Sequence, residues 1–253
     1  MDILLAVVLV GWMANLSTSI YAHRAVAHRA LVLHPVVAHL FRCILWCSTG
    51  TSVRAWVAVH RKHHALADRQ GDPHSPQRSG LWQVVFFNYF YYRRERHCPA
   101  TLQRYADGPN DWFEHHIYAY PFGLLLLMGG EIALLGWLHG LGAFGLQLLW
   151  MPLCGGMING FGHALGYRNF ATRDASRNIV PFALFVAGEE LHNNHHRYPG
   201  SAKFSWHWWE IDPGWLVVRG LAVLGLAKNV RVHDQPRSLA EWADLDTPFA
   251  KES

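Results

Sequence analysis

Long apolar segments separated by polar ones dominate the chain. Residues 3–22, 120–138 and 141–162 are almost entirely apolar, and the hydroxyl groups in the first segment can bond back to a helix backbone. About 20 residues rising ~1.5 Å each reach ~30 Å, the thickness of a bilayer core. The last two segments are joined by His139 and Gly140, where helices would stop. The pattern predicts three membrane-spanning helices, the last two forming a hairpin.

A further apolar stretch, residues 35–59, is not expected to span. It carries His39, Arg42 and Arg54, which are costly in the middle of a bilayer. If the histidines before and after it share one site, the stretch must cross an even number of times, and roughly 25 residues cannot cross twice. We interpret it as an interfacial or protein-packed helix that presents a histidine cluster in its last turns.

Composition and charge support a membrane protein with sizeable polar parts. Of 253 residues, 51% are hydrophobic and 16% charged, a balance that is unusual for a soluble domain. Arg24 and Arg29 follow the first span, so the positive-inside rule places residues 23–119 and 163–253 in the cytoplasm. The net charge of +4 fits cytoplasmic Lys and Arg, and no nucleic-acid motif is present. We expect one all-α domain over residues 1–253, a multi-pass protein of a bacterial inner membrane with a cytoplasmic helical cap.

Histidine clusters adjoin these segments. The sequence His-x-x-His-His occurs twice, and positions i, i+3 and i+4 lie on one helix face, so each triplet should converge on one point. A pair of histidines five residues apart, His23 and His28, precedes both triplets. Asn159 lies four residues before a further histidine, His163. The nine candidate metal ligands are His23, His28, His60, His63, His64, His163, His192, His195 and His196.

The number of imidazoles indicates a dinuclear site. Nine ligands suit two metal ions with four or five each, whereas zinc rarely takes more than four protein ligands. Imidazole binds Fe, Cu, Zn and Ni alike, so ligand type alone does not select the metal. His23 and His28 lie ~140° apart on a straight α-helix, which implies either a bend or one metal for each. The remaining histidines considered are expected to be non-ligands: His74, His97, His115, His116, His139, His207 and His233.

Acidic and basic neighbours suggest supporting roles. Asp72, Glu189 and Glu190 lie close to the triplets in sequence and are expected to orient ligand rings through their second N–H. Arg93 and Arg94 belong to a basic run that is expected to face solvent or lipid phosphate, with contact to a substrate headgroup as the alternative.

The motifs His23-x4-His28, His60-x2-His63-His64 and His192-x2-His195-His196 resemble the three histidine boxes of membrane fatty-acid desaturases. The likeness is greatest to the stearoyl-CoA type of acyl-CoA desaturase. It extends to Gly71-Asp72-Pro73-His74, to Asn159-x3-His163 and to Gly188-Glu189, and so covers nearly the whole chain.

The resemblance implies a function and a set of roles. It implies O2-dependent desaturation of a fatty acyl chain at a non-haem di-iron centre held by the nine histidines, with Asn159 orienting a metal-bound water. Trp56 matches a tryptophan that shapes the acyl tunnel, and Gly155 stands where animal enzymes carry a threonine near the tunnel bend.

The acyl carrier could be CoA, a carrier protein or a lipid. No His-Pro-Gly-Gly haem motif is present, so electrons should come from a separate ferredoxin, rubredoxin or cytochrome b5 type donor. The family usually has four spans, one more than the pattern predicts here.

Two other classes of function remain open at this stage. The nearer is a sister oxygenase on the same scaffold: an acyl-chain hydroxylase, acetylenase or decarboxylase. The further is a non-enzymatic metal carrier or sensor, which would need exchangeable ligands and a polar path through the spans. The apolar stretches 3–14 and 121–138 offer no such path apart from Glu131.

Overall fold

The structure, a computed structural model, describes residues 2–233 of the chain. This part is mostly helical, as predicted, and contains one small antiparallel sheet in which Val32–Leu33 (β1) pairs with Ala227–Lys228 (β2). The α-helices of the described residues are α1 Ile3–Ser17, α2 Pro35–Thr49, α3 Val53–Leu66, α4 Pro76–Ser79, α5 Leu81–Arg96, α6 Pro99–Tyr105, α7 Gly123–Leu135, α8 Trp137–Phe161, α9 His192–Arg197 and α10 Pro213–Val223.

Within residues 2–233, two helices are long and apolar enough to cross a bilayer. The first is α1 together with the π-helix Thr18–Ala27 that continues it, and the second is α8; each has 25 residues. The side chain of Asp2 caps the first by accepting from the backbone N–H of Leu4 at 3.0 Å. These two helices match the first and third predicted spans.

The hairpin differs from the prediction in its turn and in the length of its first helix. The chain reverses at Gly136, whose φ of +80° suits glycine, and not at His139 and Gly140, which lie inside α8. Helix α7 has 13 residues, about 20 Å at 1.5 Å each, which is short of a ~30 Å bilayer core. A Cβ on Gly140 would lie 2.4 Å from the Cα of Ile132, so the close contact of α7 and α8 requires glycine there.

The apolar stretch 35–59 forms two helices where one was predicted. Helix α2 ends at Gly50 in the left-handed conformation, with φ of +59°, and α3 begins at Val53 at an angle of 87° to it. Counting the bent pair as one span would give three candidate spans, and otherwise there are two. As predicted, the last turns of this stretch carry a histidine cluster, but they belong to α3 alone.

Helix α5 packs against the end of α8 that leads to the candidate site. A Cβ on Gly156 would lie 2.0 Å from the carbonyl oxygen of Val85, and one on Gly160 would lie 2.6 Å from the Val85 side chain. Small residues on α8 therefore allow the two backbones to approach closely.

A buried ion pair connects the first π-helix to the last third of the chain. Arg24 donates to Asp212 at 2.8 Å and to the carbonyl oxygen of Ala202 at 2.8 Å, and its guanidinium lies 3.8 Å from the centre of the Phe204 ring. Neither member of the pair is exposed to solvent. A buried charge pair fixes the relative position of the segments that it joins, and here it holds the π-helix with His23 close to the segment that follows α9. A single domain over residues 1–253 stays a prediction, and residues 234–253 lie outside the described part.

Candidate metal centre

The nine predicted histidines lie together in two adjacent groups. Within each group, one ring nitrogen of every member lies within 4.8 Å of the others. Five histidines form the first group and four the second. The five-histidine group is His23, His28, His60, His64 and His195, and the four-histidine group is His63, His163, His192 and His196.

Each histidine triplet contributes to both groups. In α3, His60 and His64 belong to the five-histidine group and His63 to the four-histidine group. In α9, His195 belongs to the five-histidine group, and His192 and His196 belong to the four-histidine group. Residues at i+3 and i+4 lie on the two sides of residue i, about 60° behind and 40° ahead around the helix. The prediction that each triplet converges on one point was therefore wrong. The histidine at i+3 joins one group, whereas the histidines at i and i+4 join the other.

A π-helix resolves the five-residue spacing of the first pair. The backbone N–H of His28 donates to the carbonyl oxygen of His23 at 3.0 Å, which is an i→i+5 bond. The two rings lie 4.9 Å apart between centroids and belong to the same group. The wider π turn thus brings both rings to one site, which a straight α-helix would not do.

Facing Nε2 atoms in both groups lie about 3 Å apart. The separations are 3.0 Å for His23 and His195, 2.9 Å for His64 and His195, 2.8 Å for His28 and His60, and 3.1 Å for His163 and His192. Two nitrogen ligands at ~2.1 Å from one ion and at right angles to each other would be about 3.0 Å apart. The Nε2 atoms of His63 and His196 are buried without any hydrogen-bond partner. Such unpaired buried acceptors are costly unless a further group binds them, so the residues fit two metal ions.

Carboxylates bind the outer nitrogen of four histidines. Each Nδ1 faces a carboxylate oxygen, an arrangement that leaves the Nε2 lone pair directed into the group. The pairs are His23 with Glu189 at 2.7 Å, His63 with Asp72 at 3.0 Å, His163 with Asp68 at 2.8 Å and His196 with Asp174 at 2.9 Å.

Two of the three predicted supporting carboxylates contact histidine, and two that do so were missed. Glu190 does not contact a ligand ring: its Oε1 accepts from the backbone N–H groups of Phe185 and Val186 at 2.8 Å each, so it stabilises the loop before α9. Asp68 lies four residues after His64, and its nearness to that triplet could have indicated it. Asp174 lies 22 residues before His196 and offers no such signal.

Burial keeps most of the imidazoles neutral. It lowers the pKa of His28, His60, His64, His192 and His195 well below the usual value, and neighbouring imidazoles lower it further. Burial also lowers the pKa of His196 to about 4, against the opposing effect of Asp174. His63 differs, because the charge of Asp72 outweighs burial and raises its pKa. Neutral imidazoles retain the lone pair that a metal ion requires.

The carboxylates opposite these rings stay ionised. Burial alone would raise the pKa of Asp68, Asp72 and Asp174, but the hydrogen bonds and charges of their histidine partners lower it in each case. These half-buried carboxylates would therefore partly balance the charge of any metal ion bound at the Nε2 atom of the same ring.

The remaining predicted site residues lie near the centre or at its margin. The Trp56 ring stacks on the His60 ring with centroids 4.8 Å apart, so it contacts a candidate ligand directly. The side chain of Asn159 donates to Asn88 at 3.2 Å, and a Cβ on Gly155 would lie 3.0 Å from the amide nitrogen of Asn88. The water-orienting role of Asn159 and the tunnel role of Gly155 stay predictions.

Arg93 and Arg94 are exposed near the end of α5, and the Arg94 guanidinium lies 3.8 Å from the Glu95 carboxylate. Contact of either with a substrate headgroup stays a prediction. His74, expected to be a non-ligand, is buried with its ring 4.7 Å from that of His63 and could form a small group with His63 and Asp72.

Comparisons with known proteins agree with this geometry. The family model described as fatty acid desaturase matches residues 2–227. The chain is 31% identical to the sn-1 stearoyl-lipid 9-desaturase of Anabaena variabilis, with 84% of this chain and 78% of the relative covered. It is 33% identical to Delta-9 acyl-lipid desaturase 1 of Arabidopsis thaliana, with 86% of this chain and 72% of the relative covered. It is also 30% identical to the hex-5-enoyl-[acyl-carrier protein] acetylenase of Moorena producens, with 87% of this chain and 74% of the relative covered.

Proposed function

Because the chain belongs to the fatty acid desaturase family and is a fatty acyl desaturase, we propose that it introduces a C=C bond into an acyl chain at a non-haem di-iron centre, using O2 and electrons from a separate donor protein. The five-histidine group would hold one iron and the four-histidine group the other. The acetylenase relative makes a carbon–carbon triple bond the second candidate outcome on the same centre.

The spacing of the Nε2 atoms carries this proposal. Four pairs lie 2.8–3.1 Å apart, the separation that right-angled ligands on one ion would have. The two groups have no protein carboxylate among their nine members, so each ion would keep its full charge and open coordination positions. When bound, reduced iron would supply the oxidant that an unactivated CH2 group requires.

The residues around the ions would fix their geometry. Glu189, Asp72, Asp68 and Asp174 hold four rings by their Nδ1 atoms, and Trp56 supports the His60 ring by stacking. Asn159 would complete the four-histidine group by orienting a water from α8. Without these contacts the rings would be free to rotate about their side-chain bonds.

The surroundings suit a membrane-borne acyl chain. The groups lie at the ends of the two long apolar helices, since His23 belongs to the first and His163 follows the second by two residues. An acyl chain could enter from lipid while its polar end stays at the surface, where Arg93 and Arg94 would be available. The names of two relatives include an acyl lipid and that of another an acyl-carrier protein, so these two carriers are the first to test. We propose that the site faces the cytoplasm of a bacterial inner membrane.

Expression in a host that lacks unsaturated fatty acids tests the function. We expect gas chromatography of the lipids to show a new monounsaturated acyl chain, and the purified protein to contain two irons. An alkyne product would favour the acetylenase outcome, and a hydroxylated chain would contradict both. A protein with bound metal but no O2 uptake in the presence of reductant and acyl substrate would favour a metal carrier.

A further inference from the structure

Two segments beside the four-histidine group carry an unbalanced charge. Residues 66–78 and 163–177 together contain five arginines and three aspartates. All three aspartates turn inward and bind a histidine: Asp68 binds His163, Asp72 binds His63, and Asp174 binds His196. The arginines are Arg69, Arg78, Arg168, Arg173 and Arg177, and we call the surface formed by Arg69, Arg78, Arg168 and Arg177 the basic face.

The two segments form one continuous surface. The backbone N–H of Ala175 donates to Asp68 at 2.7 Å, and the side chain of Gln77 donates to the carbonyl oxygen of His163 at 2.8 Å. Asp68, Asp174 and His163 offer ligand atoms that lie within 4.8 Å of one another. The aspartates thus lie between the basic face and the four-histidine group.

The arginines of the basic face point their charge toward solvent. Arg69, Arg78 and Arg168 are exposed, and Arg177 is half-buried. Arg168 donates to the carbonyl oxygens of Phe170 and Asp174, and Arg177 donates to that of Gly166, so these bonds fix the side chains without neutralising them. Exposed fixed charges of one sign generate a field that steers an oppositely charged partner.

The chemistry of the proposed reaction requires such a partner. Converting CH2–CH2 and O2 into CH=CH and two waters uses the two hydrogens removed from the chain, two further electrons and two protons. The electrons must come from outside the chain, one at a time if the donor is an iron–sulfur or haem protein. A donor has to approach the metal group closely, and the basic face covers one side of it.

We infer that the basic face is the docking surface for an acidic, one-electron carrier protein. This inference rests on the proposed function. The donor would sit over Arg69 and Arg78, next to the segment whose Asp68 binds His163 at 2.8 Å. Charge complementarity raises the association rate and lowers the apparent KM for the donor, and salt weakens both effects.

A kinetic experiment on the iron-loaded protein in detergent, with no lipid added other than the substrate, tests the inference, and a parallel assay uses anionic phosphatidylglycerol vesicles. The probe is an acidic [2Fe–2S] ferredoxin reduced by its reductase and NADPH, with stearoyl phosphatidylcholine or stearoyl-acyl carrier protein as substrate. The variant R69E/R78E reverses two charges that make no contact with the histidines. We expect its KM for ferredoxin to rise roughly tenfold at low salt, and this difference to shrink at high salt. Iron content should stay at the wild-type value, and R69K/R78K should restore the wild-type KM.

The matched control is K228E/R231E, which makes the same charge change at exposed positions outside the basic face. Its KM for ferredoxin should match the wild type. An unchanged KM in R69E/R78E would overturn the docking surface, as would an increase in KM for the acyl-carrier protein alone or an effect that appears only in anionic vesicles. If the wild type makes no product with ferredoxin or with dithionite, the proposed function itself fails.

Discussion

His28 donates its backbone N–H to the carbonyl oxygen of His23 at 3.0 Å, and this i→i+5 bond brings both rings into the five-histidine group. An α-helical register would hold the two rings on different sides of the helix. The π-helix is therefore the local feature on which the first histidine pair depends.

The division of the triplets predicts a selective loss of metal. Replacing His195 by Ala removes a ligand from the five-histidine group, and replacing His63 by Ala removes one from the four-histidine group. Each variant should lose turnover and retain about one of two irons, because one group keeps all its ligands. Elemental analysis of membrane-inserted protein measures this. His97→Ala, outside both groups, serves as the control, and two irons with full activity in both ligand variants would contradict the assignment.

Adjacent glutamates provide a matched test of the supporting contacts. Glu189→Gln replaces the carboxylate that binds His23, and we expect iron affinity or activity to fall roughly 10- to 100-fold. Glu190→Gln changes a carboxylate that accepts only from backbone N–H groups in the described structure, and its amide oxygen can still accept. Its iron affinity should stay within about twofold of the wild type, because Glu190 contacts no ligand ring. Competition with an iron chelator measures both, and equal losses would show that contact with a ligand ring is not what matters.

Asn159 and His163 separate a water-orienting role from a ligand role. Asn159→Ala should keep two metals per chain and lose most activity, since an amide holds a bound water by a hydrogen bond but competes poorly with imidazole as a ligand. His163→Ala should reduce metal content, because it removes a member of the four-histidine group. Metal analysis beside product analysis distinguishes the two. Normal turnover of Asn159→Ala with full metal occupancy would contradict the water-orienting role. The hydrogen bond of Asn159 to Asn88 would then be a structural contact.

The ion pairs of Asp107 predict an acid-dependent loss of stability. Burial raises the pKa of Asp107, but hydrogen bonds from Arg29 and Arg61 outweigh it and lower the pKa to about 2. A carboxyl group whose pKa falls on folding stabilises the protein above its unfolded pKa of about 4, and this contribution is lost as pH falls toward 2. Asp107→Asn should thus lower Tm at pH 6 by an amount equivalent to about 1 kcal/mol or less, and by much less at pH 2, where about half of the folded molecules already carry a protonated Asp107. Thermal unfolding in detergent at both pH values measures the difference, and a constant difference would exclude the ion pairs as its cause.

The hairpin turn predicts the outcome of reporter fusions. A reporter inserted after Gly136, where the chain reverses, should report the exterior, and one fused after Ser253 should report the cytoplasm. Alkaline phosphatase and a fluorescent protein, which are active on opposite sides of the membrane, measure the two positions. The reverse pattern would overturn the proposed orientation while leaving the metal centre unaffected.

The sequence alone indicated which histidines lie together. Spacings of three and four residues on helices mark ligand clusters locally, and all nine predicted histidines meet in the structure. Apolar length likewise indicated the first span and α8, because the thickness of a bilayer sets the number of residues that a helix needs. Both signals depend on residues that are close together in the sequence, so they can be read without the tertiary structure.

Only the tertiary structure decided how these residues are arranged. His23 meets His195 across 172 positions, and Asp174 meets His196 through a loop that carries no motif. Which metal group each histidine joins depends on the 87° bend between α2 and α3, on the π register of residues 18–27 and on the packing of α5 against α8. These features follow from contacts between distant segments, whose energies no local pattern of residues expresses.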